Sequence, residues 1–195
     1  MAQPSENVAL PEPSVTGSNS LEQLLAQRRS IRDYQTATLK LAEIGQLLWA
    51  AQGITHLQGL RTAPSAGALY PLELYVVTGR IEGLAQGVYR YDPGHHQLIK
   101  TSDSDLRDGL TRAAFSQGWI SHASTIIVFT ADFERTTRKY GKRGERYVHI
   151  EAAMLHKISF CSLNPSAWLR SLSVPFMMTR LPGCCTCPLI YNPCC

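Results

Sequence analysis

Arg61-Thr62-Ala63-Pro64-Ser65-Ala66-Gly67-Ala68-Leu69-Tyr70-Pro71 leads without a break into Leu72-Glu73-Leu74-Tyr75-Val76-Val77-Thr78. The second half is β-branched and aromatic, so Leu72 to Thr78 is predicted as a strand. The first half is a run of small residues, Ala63 to Ala68, held between Pro64 and Pro71. Small side chains let backbone amides approach a flat ligand closely, and the prolines stiffen the loop that carries them. An ordinary tight loop entering a strand has the same composition, and spacing alone does not separate the two.

Working outward, Leu41, Ile44, Leu47, Leu48 and Ala51 share one face of a helix predicted from Leu41 to Gln52, which ends at Gly53. Ser20 with Gln23 makes a capping box for a short helix reaching about Gln27. Residues 1–19 are polar and rich in Pro and Ser, and are expected to be flexible. After the central strand, Gly87 to Tyr91 alternates, Asp92-Pro93-Gly94 turns the chain, and Gln97 to Lys100 returns it. A helix is expected from Asp103 to Ser116, and Ser124 to Ala131 is a continuous apolar run suited to a buried strand. Another helix opens at Tyr147 to Ala152. Helices on a mixed sheet make the chain α+β or α/β.

With 195 residues, 44% hydrophobic and 17% charged, the chain can bury one core and has no run long enough to span a bilayer. Its net charge of +4 falls short of the clustered basic footprint of a nucleic-acid binder. No Lys or Arg precedes a hydrophobic stretch in the first 20 residues, so no secretory signal is read and a cytoplasmic location is expected.

Arg28-Arg29-Ser30-Ile31-Arg32 gathers three guanidiniums and a hydroxyl just after a helix. Guanidinium forks match phosphate oxygens, so the run is either an anion cradle or a solvated basic turn. His149 and Glu151 stand two apart on a helix and cannot share a face as a metal pair would, so both read as structural. His95-His96 follows the hairpin turn and reads as an exposed polar tip.

Taken in order, these segments resemble the nitroreductase family of flavin enzymes, in the branch of SagB-type dehydrogenases. The matching motifs are Arg28 to Arg32, Arg61 to Val77, Gly87 to Pro93, Thr125 to Arg135, Lys139-Tyr140-Gly141, and Arg146 to Ala152. The resemblance covers about residues 20–152. It implies an α+β fold with a mixed sheet flanked by helices, and an FMN-dependent oxidoreductase working as a homodimer with flavin sites at the subunit interface. Arg28, Arg29, Ser30 and Arg32 would hold the FMN phosphate and ribityl chain. Pro64, Ser65, Ala66 and Gly67 would lie along the flavin, with Tyr70 nearby. Lys139 and Tyr140 would be an acid/base pair, as in azoline-oxidising members, with Arg138, Lys142 and Arg143 lowering the Lys139 pKa; a solvated basic loop is the other reading. No metal is implied. The substrate would be a small molecule or a peptide azoline, and NADH or NADPH a possible electron donor. A broad nitro- or quinone-reductase is the alternative within the class.

The tail departs from this pattern. All 15 acidic residues precede residue 153, whereas residues 153–195 hold five of the 11 prolines and carry only Lys157, Arg170 and Arg180 as charges. The six cysteines, Cys161, Cys184, Cys185, Cys187, Cys194 and Cys195, all lie in the last 35 residues. Such a mix is expected to support neither a long helix nor a regular strand. Three units are therefore read: a flexible segment 1–19, a partial nitroreductase-like domain 20–152, and an aberrant tail 153–195. Restoring one base before codon 153 permits Gly-His-Ala-Ala-Gln-Asn-Ile-Phe-Leu-Gln, the helix the resemblance leads one to expect, so the tail reads as frameshifted. On that reading the C-terminal part of the fold is missing or replaced, activity is impaired, and an inactive fragment is the competing outcome. The cysteine cluster lacks paired Cys-x-x-Cys spacing, which weighs against a metal-thiolate site.

Overall fold

The computed structural model describes residues 6–30, 32–33, 38–161, 172–173 and 178–180. Its centre is the antiparallel pairing of β3 (Leu72–Thr78) with β7 (Thr125–Ala131), in register from Leu72 opposite Ala131 to Thr78 opposite Thr125. β5 (Gly87–Asp92) pairs with the other edge of β3, β6 (Gln97–Ser102) returns along β5, and β1 (Asn7–Ala9) adds to β6, all antiparallel. Beyond β7 lie β8 (Leu172–Ser173) and β9 (Met178–Arg180), both parallel to it. The sheet is therefore mixed, as expected of an α+β fold. β2 (Leu39–Lys40) and β4 (Ile81–Glu82) form a separate two-stranded parallel pair.

Side-chain alternation divides the core into two layers. Leu72, Leu74 and Val76 of β3 and Ile127, Phe129 and Ala131 of β7 face helices α2 (Leu41–Gln52) and α5 (Arg143–Cys161). Val77, Ile126 and Val128 face the other way, against Ala114, Ile120 and Ala123, with Leu110 of α3 (Arg107–Ala113) packed on them. β7 is buried along its whole length, which is why its sequence is an unbroken apolar run. The bounds of α2 and β3 match the sequence expectation, and α1 (Leu21–Gln27) opens with the Ser20–Gln23 capping box. Gly53 ends α2 with an extended rather than left-handed backbone. Its small size is needed because a Cβ there would collide with the Trp49 indole.

Four expectations are corrected. The first 19 residues are not loose throughout: Asn7–Ala9 pairs with β6, Leu10 is buried, and Ser14 exchanges hydrogen bonds with Gln46 of α2 at 2.8 and 3.0 Å. Val8 and Leu10 turn inward while Asn7 and Ala9 are exposed, an alternation enough to add an edge strand to a hairpin already formed. His96 is not an exposed tip, since Nδ1 lies 2.9 Å from the Tyr91 hydroxyl and Nε2 3.0 Å from the Pro11 carbonyl. The helix expected from Asp103 is shorter, because Asp103 pairs with Lys100 and Asp105 with Arg107 before it begins, while Phe115 and Ser116 turn left-handed after it.

The fourth correction concerns the boundary at residue 152. α5 passes through it and runs to Cys161, with Leu155 and Ser159 buried and Ile158 packed on the core. The stretch 153–161 contains no proline, and Leu155 and Ile158 continue the inward face set by Val148 and Ala152. β8 and β9 likewise place short pieces of the tail on the sheet. Cys184, Cys185, Cys187, Cys194 and Cys195 lie outside the described residues. Among the described residues, no helix is long and apolar enough to cross a membrane.

Candidate functional site

The loop 61–71 starts beside the end of α2, where the Thr62 amide donates to the Gly53 carbonyl at 2.9 Å, and enters β3 at Leu72, directly opposite Ala131, where β7 ends. Asp132 donates its amide to the Pro71 carbonyl at 2.9 Å and then caps α4 (Phe133–Tyr140) by accepting from the Glu134 amide at 3.1 Å. α4 stops at Gly141, which is left-handed, and Gly144 at the start of α5 approaches Thr136 so closely that a Cβ would stand 3.0 Å from its backbone. The central strand pair thus brings the 61–71 loop and the α4–α5 corner to one end of the central strands.

Within the loop, Gly67, Ala68 and Tyr70 all adopt left-handed φ, at 66°, 53° and 46°. Alanine and tyrosine pay a steric cost there that surrounding contacts must offset. Several such contacts are present. Ser65 Oγ accepts from the Tyr70 amide at 2.9 Å, the Tyr70 hydroxyl accepts from the Arg61 amide at 3.1 Å, and the Arg61 guanidinium lies 4.5 Å over the Tyr70 ring. Arg135 of α4 donates to the Tyr70 carbonyl at 3.1 Å and pairs with Glu73 at 2.8 Å, tying the loop to both strand and helix.

Gly67 is where the sequence-derived candidates meet. A methyl group built on Gly67 would stand 2.8 Å from Lys139 Nζ and 2.8 Å from Tyr140 Oη, so the two polar tips lie over its bare backbone. Tyr140 is steadied by an edge-to-face contact with Tyr147 at 5.2 Å. Ser65 and Ala66 are half-buried beside them, and Pro64 and Gly67 are exposed.

The arginine run does not gather there as a unit. Arg28 is half-buried and faces His156 of α5, whose basicity is lowered by burial and by the Arg28 charge. Arg29 Nη1 donates to the Ala26 and Arg28 carbonyls at 2.9 and 2.8 Å, satisfying the end of α1, and Ser30 is exposed. The Arg32 guanidinium lies 5.8 Å over Trp119, a residue packed on the opposite face of the sheet from α5. Within the run, Arg28 is thus directed to α5 and Arg32 to Trp119.

Residues that sequence reading passed over complete the site from below. Arg61 Nη1 donates to Gln52 Oε1 at 2.5 Å, and Glu151 of α5 is 4% exposed. Burial pushes the Glu151 pKa up to about 6, against the opposing pull of Ser65 and Arg61. Gln52 Nε2, Arg61 Nε and Glu151 Oε1 are buried without a hydrogen-bond partner. Glu151 was legible in one respect, since it lies in line with Val148, Ala152 and Leu155 on the stripe that faces the core.

This edge has a bare, small-residue backbone with a cation and a phenol poised over it, which suits a flat ring bearing hydrogen-bond acceptors.

A family model described as the nitroreductase family matches residues 25–157. A nitroreductase homologue of Methanocaldococcus jannaschii is 44% identical over 131 residues, covering 67% of this chain and 66% of that protein. The trifolitoxin-processing protein TfxB of Rhizobium leguminosarum bv. trifolii is 30% identical over 115 residues, 52% of this chain and 28% of that protein. Among solved structures, a nitroreductase homologue from Ralstonia eutropha JMP134 superposes with a TM-score of 0.68 at 30% identity, covering 80% of this chain and 70% of that one. The match thus spans just under two thirds of the archaeal relative and little more than a quarter of the rhizobial one. With its sheet order, its loop at the β3 edge and this match over most of its length, the chain belongs to the nitroreductase family.

Proposed function

We propose that the chain is an FMN-dependent oxidoreductase whose flavin lies on the Ser65–Gly67 backbone beneath Lys139 and Tyr140. The observation that carries this reading is the convergence of Lys139 Nζ and Tyr140 Oη over Gly67. FMN, when bound, supplies hydride chemistry by a ping-pong cycle in which a donor such as NADH or NADPH and then an acceptor visit in turn. The protein's part is binding and proton handling. Ser65, Ala66 and Gly67 keep the floor thin, Tyr70 and Arg61 hold its shape, and Lys139 and Tyr140 offer an ammonium and a phenol for proton transfer at the reacting group.

Arg28 from its own side and Arg32, Arg29 and Ser30 from a second copy would supply the phosphate site, which makes a homodimer the working form. Support comes from the placement of the Arg32 guanidinium against Trp119 and from the exposed apolar side chains of Ile150 and Met154 on the outer face of α5. Similarity to the trifolitoxin-processing protein and the likeness of Lys139-Tyr140 to azoline-oxidising members favour a peptide substrate, here read as an azoline, and similarity to the archaeal nitroreductase homologue favours reduction of a nitro compound, the broad nitro- or quinone-reductase being the second reading. Steady-state assays of the FMN-loaded protein with a thiazoline peptide and with a nitroarene separate them. Azoline oxidation lost in Lys139→Ala and Tyr140→Phe supports the first; turnover of the nitroarene alone supports the second; turnover of neither overturns the enzymatic reading.

A further inference from the structure

We infer that a groove along the outer face of α5 seats the phosphates of the electron donor, and that Arg146 within it selects NADPH over NADH by holding the 2′-phosphate. This rests on the flavin reading and names the donor for that same site. The groove offers about 820 Å³ and begins at the α4–α5 corner, where Lys142, Arg143 and Arg146 line it together with a single carboxylate, Glu145. All three cations are exposed. The ion pairs of the neighbouring helix, Arg138 with Glu134 and Arg135 with Asp132 and Glu73, engage none of them among the described residues.

The groove is joined to the two tips over Gly67. Lys142 follows Lys139 by three residues, across the left-handed turn at Gly141. The Tyr140 ring meets Tyr147 edge-to-face at 5.2 Å, and the Arg143 guanidinium lies 5.7 Å over the Tyr147 ring, so one aromatic side chain links the phenol to the first arginine of the groove. Arg143, Arg146, Ile150 and Ala153 then follow at three- and four-residue steps along one face of α5. That stripe is about 15 Å long at 1.5 Å per residue. Its near end is cationic and its far end, Ile150 and Ala153, is apolar.

A donor that reacts beneath Lys139 and Tyr140 must lay the rest of its length along the surface. A nicotinamide dinucleotide is a flat ring, a pyrophosphate and a second flat ring; leading away from the tips, α5 presents cations and then an apolar shelf. Guanidinium forks match phosphate oxygens, so Lys142 and Arg143 suit the pyrophosphate. Arg146 stands between that pair and the apolar end, which is where a 2′-phosphate falls once adenine rests on Ile150 and Ala153. NADH leaves Arg146 with no phosphate to meet. Ile150 also lies on the face proposed to meet a second copy, which would close the groove at its apolar end and leave the cationic end open.

The test is isothermal titration calorimetry of the full chain with adenosine 2′,5′-bisphosphate and with adenosine 5′-diphosphate, which has as many phosphates but none at the 2′ position. The bisphosphate is expected to bind roughly tenfold tighter at low salt, the scale of one charge-assisted contact, and to lose that margin as ionic strength rises. Arg146→Ala should remove the margin and Arg146→Lys should keep part of it, while thermal melts of both match the wild type because Arg146 is exposed. With FMN loaded, Arg146→Ala should lower kcat/KM for NADPH roughly tenfold relative to that for NADH. Equal affinity of the wild type for the two nucleotides, binding of neither, or an undiminished margin in Arg146→Ala would overturn the inference. So would displacement of the bisphosphate by hexaglutamate at lower concentration, which would mark the groove as a seat for acidic peptide. FMN titration keeps the two readings apart. The nucleotide margin as predicted with no FMN bound overturns the flavin reading alone, and FMN bound with no margin overturns the donor assignment alone.

Discussion

Arg61 and Tyr70 clasp each other across the loop: the Arg61 amide donates to the Tyr70 hydroxyl at 3.1 Å while its guanidinium lies 4.5 Å over the Tyr70 ring. Tyr70→Phe removes only the hydroxyl and should cost about 1 kcal/mol, the usual loss for one part-buried hydrogen bond. Tyr70→Ala removes the ring as well and should cost roughly 1 kcal/mol more through the lost cation–π contact. Urea denaturation of the two variants checks both the order and the gap.

Gly67→Ala meets two obstacles, a left-handed φ of 66° and the tips of Lys139 and Tyr140 at 2.8 Å. The conformation alone should cost about 1–2 kcal/mol. Because Lys139 is exposed and can swing aside, pairing the change with Lys139→Ala should recover little of that cost. Thermal denaturation of the single and double variants measures the recovery.

Glu151 gives stability a definite pH dependence. Its folded pKa of about 6 stands above the ordinary 4.5, so the folded chain binds a proton that the unfolded chain releases. Its contribution to stability is therefore most favourable below about pH 4.5, declines as pH rises toward about 6, and is constant above that. The drop should be about 2 kcal/mol, and Glu151→Gln should abolish it. Denaturant melts at pH 4.5, 6 and 7.5 check the sign, since a carboxylate held low by salt bridging would give the opposite slope.

Leu155 tests whether the tail belongs to the core. It is fully buried on α5 beyond Ala152, so Leu155→Ala should cost about 2–5 kcal/mol, as for other buried leucines. A change of under half a kcal/mol in the denaturation free energy would mean that residues after 152 add nothing to the fold.

What the sequence discloses depends on how locally each feature is determined. α2 and β3 are set by an apolar period and by β-branched content, and the structure keeps their bounds. α4 is hard to read from sequence, because its inward stripe, Phe133, Thr136 and Tyr140, is short and holds one threonine; it is held by the Asp132 cap and by packing on α5. β1 needed the β5–β6 hairpin to exist before it could pair. The compositional break after Ala152 concealed a helix that continues because proline is absent until Pro165. In the site, the meeting of the Ser65–Gly67 loop with Lys139 and Tyr140 follows from motif order together with the β3–β7 register. The course of Arg32 toward Trp119 is a tertiary matter on which local sequence is silent. Two-residue spacing to His149 rules out a metal pair and makes Glu151 read as structural, whereas its position on the buried stripe is what marks it.

FMN titration, followed by flavin fluorescence, most directly tests whether the Gly67 edge holds a flavin. The proteins to compare are this chain, its Gly67→Ala variant, and the chain with the reading frame restored after Ala152. Binding should be weaker for this chain than for the frame-restored one, in which the sequence read after Ala152 would supply further contacts. Gly67→Ala should weaken binding by about tenfold or more, the equivalent of at least 1.4 kcal/mol. Failure of the frame-restored chain to bind FMN, or undiminished binding by Gly67→Ala, would contradict the assignment.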